Sequence, residues 1–154
     1  MKQNDDLKSF TVTIDLLLES NACDKATLAF ANAFPSGTAS MRDVVEHPAC
    51  EREWIGWMAC NLNGLTPEIG LELIERSDDP AYLRGEAAAY AHWVTPEIGF
   101  DLIERSNDPA YLRGTAAAYA HWVTPEIGFD LIERSDSPSY WRGTAAAHAH
   151  WMAR

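Results

Sequence analysis

The strongest constraint on this chain is an internal repeat. Residues 66–94, 95–123 and 124–152 are copies of one 29-residue unit, each opening on Thr-Pro-Glu-Ile-Gly. The first two differ only at Leu71/Phe100, Glu72/Asp101, Asp78/Asn107 and Glu86/Thr115. The third differs from the second at six positions, among them Leu112/Trp141, Tyr119/His148 and Val123/Met152. A fixed period in this range marks a solenoid, in which each unit buries its apolar face by stacking on its neighbours.

Each unit reads as two helices. Thr66-Pro67-Glu68 supplies an N-cap hydroxyl, a proline suited to the first helical position and an acid at the positive end of the dipole. Ile69, Gly70, Leu71, Leu73 and Ile74 then cover one broad side, and Glu68, Glu72, Glu75 and Arg76 the other. Glu72 precedes Arg76 by four residues, the favoured order for a helical ion pair. The second helix opens at Asp79-Pro80 and is expected to run to His92-Trp93. Its small positions, Ala81, Gly85 and Ala88, allow close helix approach. Gly85 costs about 1 kcal/mol of helix propensity relative to Ala. Its recurrence as Gly114 and Gly143 points to a tight contact that offsets the cost.

The run Asp79-Pro80-Ala81-Tyr82-Leu83-Arg84-Gly85-Glu86-Ala87-Ala88, its copy at 108–117, and the flanking Thr-Pro-Glu and Leu-Ile-Glu segments resemble the short HEAT-like repeat of the phycobilisome-lyase type. The third copy departs, with Ser137 in place of the Asp and Trp141 in place of the Leu. The resemblance covers residues 66–152. It implies an all-α fold, a right-handed α-solenoid of two-helix repeats. It does not imply lyase activity, because one repeat architecture serves many functions.

The first 65 residues read as degenerate versions of the same unit. Leu7–Glu19 and Asp24–Phe34 form one expected helix pair, split by Asn21-Ala22-Cys23. Met41–Glu46 and Glu51–Leu62 form the next, with Gly56 on the register of Gly85 and a turn at Pro35-Ser36-Gly37. The expectation is one solenoid domain over residues 1–154, with about five helix pairs and about ten helices, roughly 50 Å long at helix-packing distances.

Composition excludes several function classes. Twelve Lys and Arg stand against 23 Asp and Glu, a net charge of −11. That sign disfavours direct nucleic-acid binding and anionic membranes, both of which need a basic footprint. The charge is spread out: the three units carry −4, −2 and −2. No stretch reads as a signal peptide or a bilayer span. Cys23, Cys50 and Cys60 form no C-x-x-C pair, so buried free thiols in a soluble, reducing, cytoplasmic protein are expected.

The recurring side chains have plain structural readings. Arg84, Arg113 and Arg142 are expected to pair with carboxylates of their own or the next unit. His92, His121 and His150 recur at about 10 Å, too far apart to share a metal, and are expected to hydrogen-bond between units. The pairs Tyr82/Trp93, Tyr111/Trp122 and Tyr140/Trp151 are expected on one helical side, packed between units or lining a groove where Tyr and Trp serve as anchors. No catalytic grouping and no cofactor or metal site emerges.

Partner contacts are therefore sought in two places. One is the last unit, where Tyr140, Trp141, His148, Trp151 and Met152 are expected to leave large residues on an open end face, most simply for a two-fold homodimer. The other is the acidic row Glu68, Glu72, Glu97, Asp101, Glu126 and Asp130. The leading expectation is a non-enzymatic protein-binding scaffold, an inhibitor, immunity or adaptor protein acting on a basic partner. A DNA mimic is the first alternative. Duplex DNA carries roughly 29 charges over 50 Å, so mimicry would require the carboxylates to concentrate on one face. A cofactor chaperone of the lyase class is the second, resting on the resemblance alone.

Overall fold

A computed structural model describes residues 2–152 of the chain, and the side chains of 6–152. The described residues form eleven helices and one two-stranded antiparallel sheet. The chain packs as two compact units, one up to Asp79 and one from Pro80, so the division falls inside the first 29-residue copy.

In the first unit, α1 (Lys2–Ser9) is followed by β1 (Thr11–Thr13), α2 (Ile14–Glu19) and α3 (Asp24–Ala33). Next come β2 (Thr38–Ser40), α4 (Met41–Glu46), α5 (Arg52–Asn61) and α6 (Pro67–Arg76). The single helix expected over Leu7–Glu19 is thus two helices with a strand between them. Thr11-Val12-Thr13 is β-branched throughout, which favours an extended backbone, and it pairs with Thr38-Ala39-Ser40 in the register Val12↔Ala39. Thr13 then caps α2 by accepting the Leu16 N–H at 3.0 Å. Helix α1 packs on α4 and α6, and α5 packs on α6. Leu7, Val12, Leu17, Phe30, Met41, Ile55, Leu62 and Leu73 form the core of this unit.

The second unit contains α7 (Pro80–Tyr90), α8 (Pro96–Glu104), α9 (Pro109–Tyr119), α10 (Pro125–Glu133) and α11 (Pro138–His148). The starts of the repeat helices follow from the sequence. Thr66, Thr95 and Thr124 accept the Ile69, Ile98 and Ile127 N–H groups, each with Pro in the first turn. Asp108 caps α9 in the same way, whereas Ser137 makes no side-chain cap. The ends differ from expectation: α7 closes at Tyr90, and His92-Trp93 lie in the turn that follows. Helices α7, α9 and α11 lie side by side, and α8 and α10 pack against them.

Within the second unit, successive repeats interlock through helix C-termini. The last carbonyls of a helix have no partner within it, and here side chains of neighbouring repeats supply them. Trp122 Nε1 donates to the Ala88 carbonyl at the end of α7, and Trp151 Nε1 to Ala117 of α9, both at 2.7 Å. Arg84 donates to the Arg105 carbonyl at 3.4 Å and Arg113 to that of Arg134 at 3.3 Å. Arg113 also pairs with Glu104 at 2.7 Å, and Arg142 pairs with Glu133. Arg84 and Arg113 therefore tie successive repeats together. Within the first unit Arg52 does the same work, donating to the Arg76 and Ser77 carbonyls at 3.3 and 3.1 Å.

Four of the recurring glycines are contact points. Gly99 and Gly128 face the rings of Trp122 and Trp151, Gly85 faces Leu112, and Gly114 faces Trp141. A Cβ at Gly143 would meet nothing within 4 Å.

Candidate functional site

All five tyrosines of the chain lie on α7, α9 and α11, and all are exposed, between 42 and 62%. Their spacing explains why they share a face. Residues at i, i+4 and i+8 line one side of a helix. Tyr82-Glu86-Tyr90, Tyr111-Thr115-Tyr119 and Tyr140-Thr144-His148 are three such triplets on three adjacent helices. Two aromatic rows result, about 12 Å apart at 1.5 Å rise per residue. In the row at the C-terminal ends, Tyr90 and Tyr119 stand 5.9 Å apart by ring centroid, and Tyr119 and His148 5.5 Å. Between the rows Thr115 is buried, its hydroxyl donating to the Tyr111 carbonyl at 3.2 Å. Thr144 repeats that bond to Tyr140, also at 3.2 Å. The face is a shallow trough with aromatic rims and a floor of Glu86, Thr115 and Thr144. Partial burial, then the Glu86 carboxylate, push the Tyr90 phenol above its usual pKa, so it stays a neutral hydrogen-bond donor at physiological pH.

The expected pairing of Tyr with Trp on one helical side fails. Trp93, Trp122 and Trp151 follow the helix ends, with Trp93 and Trp122 buried and Trp151 half-buried. Only the tyrosines face solvent.

The last unit is rearranged from expectation as well. Tyr140 and His148 are exposed, but Trp141 is buried against Gly114, with Nε1 donating to Asp136 at 3.1 Å. Trp151 and Met152 are half-buried. Trp141 therefore belongs to the packing between α9 and α11. The face that α11 leaves open carries Gly143, Ala146 and Ala147, which are small. The large-residue end face expected for a homodimer is not formed by Trp141.

The acidic row is part internal and part open. Glu72 pairs with Arg76 at 2.8 Å, Asp101 with Arg105 at 3.2 Å and Asp130 with Arg134 at 3.3 Å. Glu68, Glu97 and Glu126 stand exposed in the first turns of their helices. His150 Nε2 lies 3.2 Å from the Ala120 carbonyl, an inter-repeat contact of the expected kind. Among the described residues no group of three or more His, Cys, Asp or Glu is placed to hold a metal ion. No helix among them is long and apolar enough to cross a membrane.

The cysteines are not the buried thiols expected: Cys23 is exposed, and Cys50 and Cys60 are half-buried. Cys23 and Cys50 instead line a cavity of about 420 Å³ in the first unit, between α3 and α5. Its walls include Phe30, Phe34, His47, Trp54 and Trp57. Desolvation, and then the neighbouring Glu51 charge, raise the Cys50 thiol to about 11, so it is not a nucleophile at neutral pH. Repeat-based reasoning missed this cavity because it lies in the degenerate half. The available signals were the aromatic pairs Phe30/Phe34 and Trp54/Trp57, spaced four and three residues apart, and the alanines at 22, 26, 29 and 33.

Set against family models, curated proteins and solved structures, the chain matches none.

Proposed function

We propose that this chain is a HEAT-like repeat scaffold without catalytic activity, which docks another protein across the tyrosine trough of α7, α9 and α11. The observation that supports this reading is the concentration of all five tyrosines, exposed, on one layer of stacked helices. Tyr buries a large amphipathic area at low entropic cost and is enriched among interface anchors. The row spacing of about 12 Å matches the diameter of a helix with its side chains. A helical segment of the partner is the occupant that fits between the rims.

The partner's surface is basic in this reading. Glu86 lies in the trough, and Glu97 and Glu126 are exposed on α8 and α10 of the same unit. Charges of this kind steer association and weaken with salt. The ion pairs of Asp101, Asp130 and Glu72 interleave positive charge with the acidic row. That mixture favours a scaffold over a DNA mimic.

The double variant Tyr90→Ser/Tyr119→Ser tests the reading. Both side chains are exposed, so the melting temperature is expected to stay within a few degrees of wild type. Affinity capture from the native host is expected to lose its main protein partner, at least tenfold. Wild-type capture is expected to weaken between 50 and 500 mM salt. Unchanged capture by the double variant would refute the trough as the docking face.

A further inference from the structure

The cavity between α3 and α5 is separate from the tyrosine trough and lies wholly within the first unit. Its volume of about 420 Å³ falls within the range of small-molecule sites, about 300–1,000 Å³. The α3 wall is cut back by Ala26, Ala29 and Ala33, and the opposite wall is Trp54 and Trp57 on α5. Glu53 is the one Asp, Glu, Lys or Arg in the lining. Among the described residues it has no ion-pair partner, and it is exposed at the rim. The nearby cation, Lys25, is held by Glu51 at 3.4 Å and stands 6.0 Å over the Trp54 ring. Trp54 thus already takes an ammonium on one face.

The other polar groups of the lining are engaged locally or neutral. Ala49 N–H donates to His47 Nδ1 at 3.0 Å. The Cys50 thiol is raised by burial and stays neutral. An apolar, aromatic-walled cavity with a single carboxylate at its mouth complements a ligand with an apolar body and one positive end. Aromatic faces and a carboxylate together recognise ammonium ions.

We infer that this cavity is a binding site for a small amphiphilic cation, an alkyl- or arylammonium ion. The apolar tail lies between the α3 alanines and Trp57, and the ammonium group lies at the mouth beside Glu53.

Calorimetric titration of the intact chain with n-octylammonium, 1-octanol and octanoate at 0.15 M salt tests it. Octylammonium is expected to bind at least tenfold more tightly than octanoate, with octanol between them. Glu53→Gln is expected to weaken octylammonium about five- to tenfold and leave octanol unchanged. Asp78→Asn, at an exposed acid outside the cavity lining, is expected to change nothing, which separates the site from the overall negative charge. Ala29→Phe fills the cavity and is expected to abolish binding of octylammonium and octanol alike. Ala26→Leu is the milder filling variant should Ala29→Phe lower the melting temperature. Equal binding of octanoate and octylammonium would overturn the inference. So would no binding of octylammonium up to several millimolar, or binding that survives both filling variants.

Discussion

Trp122→Ala is expected to cost about 3–5 kcal/mol of folding stability, the range for truncating a buried aromatic ring. Trp122 is 5% exposed and serves three neighbours at once. Its ring covers Gly99 of α8, its edge meets Phe100 at 5.6 Å, and Nε1 donates to the Ala88 carbonyl at 2.7 Å. The alanine variant opens a cavity between two repeats and strands a helix-terminal carbonyl. Trp122→Phe keeps most of the apolar contact and removes only the donor, so about 1–3 kcal/mol is expected. Domains hold about 5–15 kcal/mol in total, so the alanine variant uses a large share of it. Urea denaturation followed by circular dichroism measures both. The order wild type, Trp122→Phe, Trp122→Ala is expected. Equal midpoints for wild type and Trp122→Phe would mean that the hydrogen bond contributes nothing.

The glycine series gives the second large effect, and its sign changes along the chain. A Cβ at Gly99, Gly114 or Gly128 would fall well inside van der Waals contact with the rings of Trp122, Trp141 or Trp151. Each of those rings is pinned by its own Nε1 hydrogen bond. The Gly→Ala variants at these positions are therefore expected to cost about 1–3 kcal/mol through overpacking, despite better helix propensity. Gly85→Ala meets Leu112 Cγ at 2.8 Å, a side chain that can rotate, and is expected to cost less. Gly143→Ala meets nothing within 4 Å and is expected to stabilise by up to about 1 kcal/mol. Denaturation midpoints of the five variants check the series. A Gly143→Ala as costly as Gly114→Ala would mean that the α11 face is covered in solution.

The repeated half was legible where local chemistry decides structure. Thr-Pro-Glu at 66–68, 95–97 and 124–126 and Asp108-Pro109 mark helix starts by capping, which needs no tertiary information. The glycine register announced close contacts at Gly85 and Gly114 but not the open surroundings of Gly143, and Arg113 and Arg142 took the expected carboxylate pairings. Helix ends were not legible. Trp93 and Trp122 sit beyond them because their rings are drawn into tertiary contacts, and a helical wheel extended past Tyr90 mixed buried Trp with exposed Tyr.

The break at Thr11-Val12-Thr13 depends on a partner 27 residues away, and its local signal was only three β-branched residues. The candidate site was half legible. The tyrosines were expected beside the tryptophans, packed between units or lining a groove, and their common exposed face emerges only once α7, α9 and α11 lie side by side. Trp141 was assigned to an open face because nothing in the sequence says that Gly114 receives it. The cavity of the first unit depends on α3 and α5 facing each other across a gap, which no repeat register encodes.

Site-specific photo-crosslinking tests the central claim most directly. A photoreactive phenylalanine derivative is placed at Tyr119 in the trough, or at Phe129 on α10, which is 56% exposed and serves as the matched control. One dominant protein adduct is expected from position 119 in the native host, and little or none from position 129. Adducts of equal yield from both positions, or from 129 alone, would contradict docking across the trough.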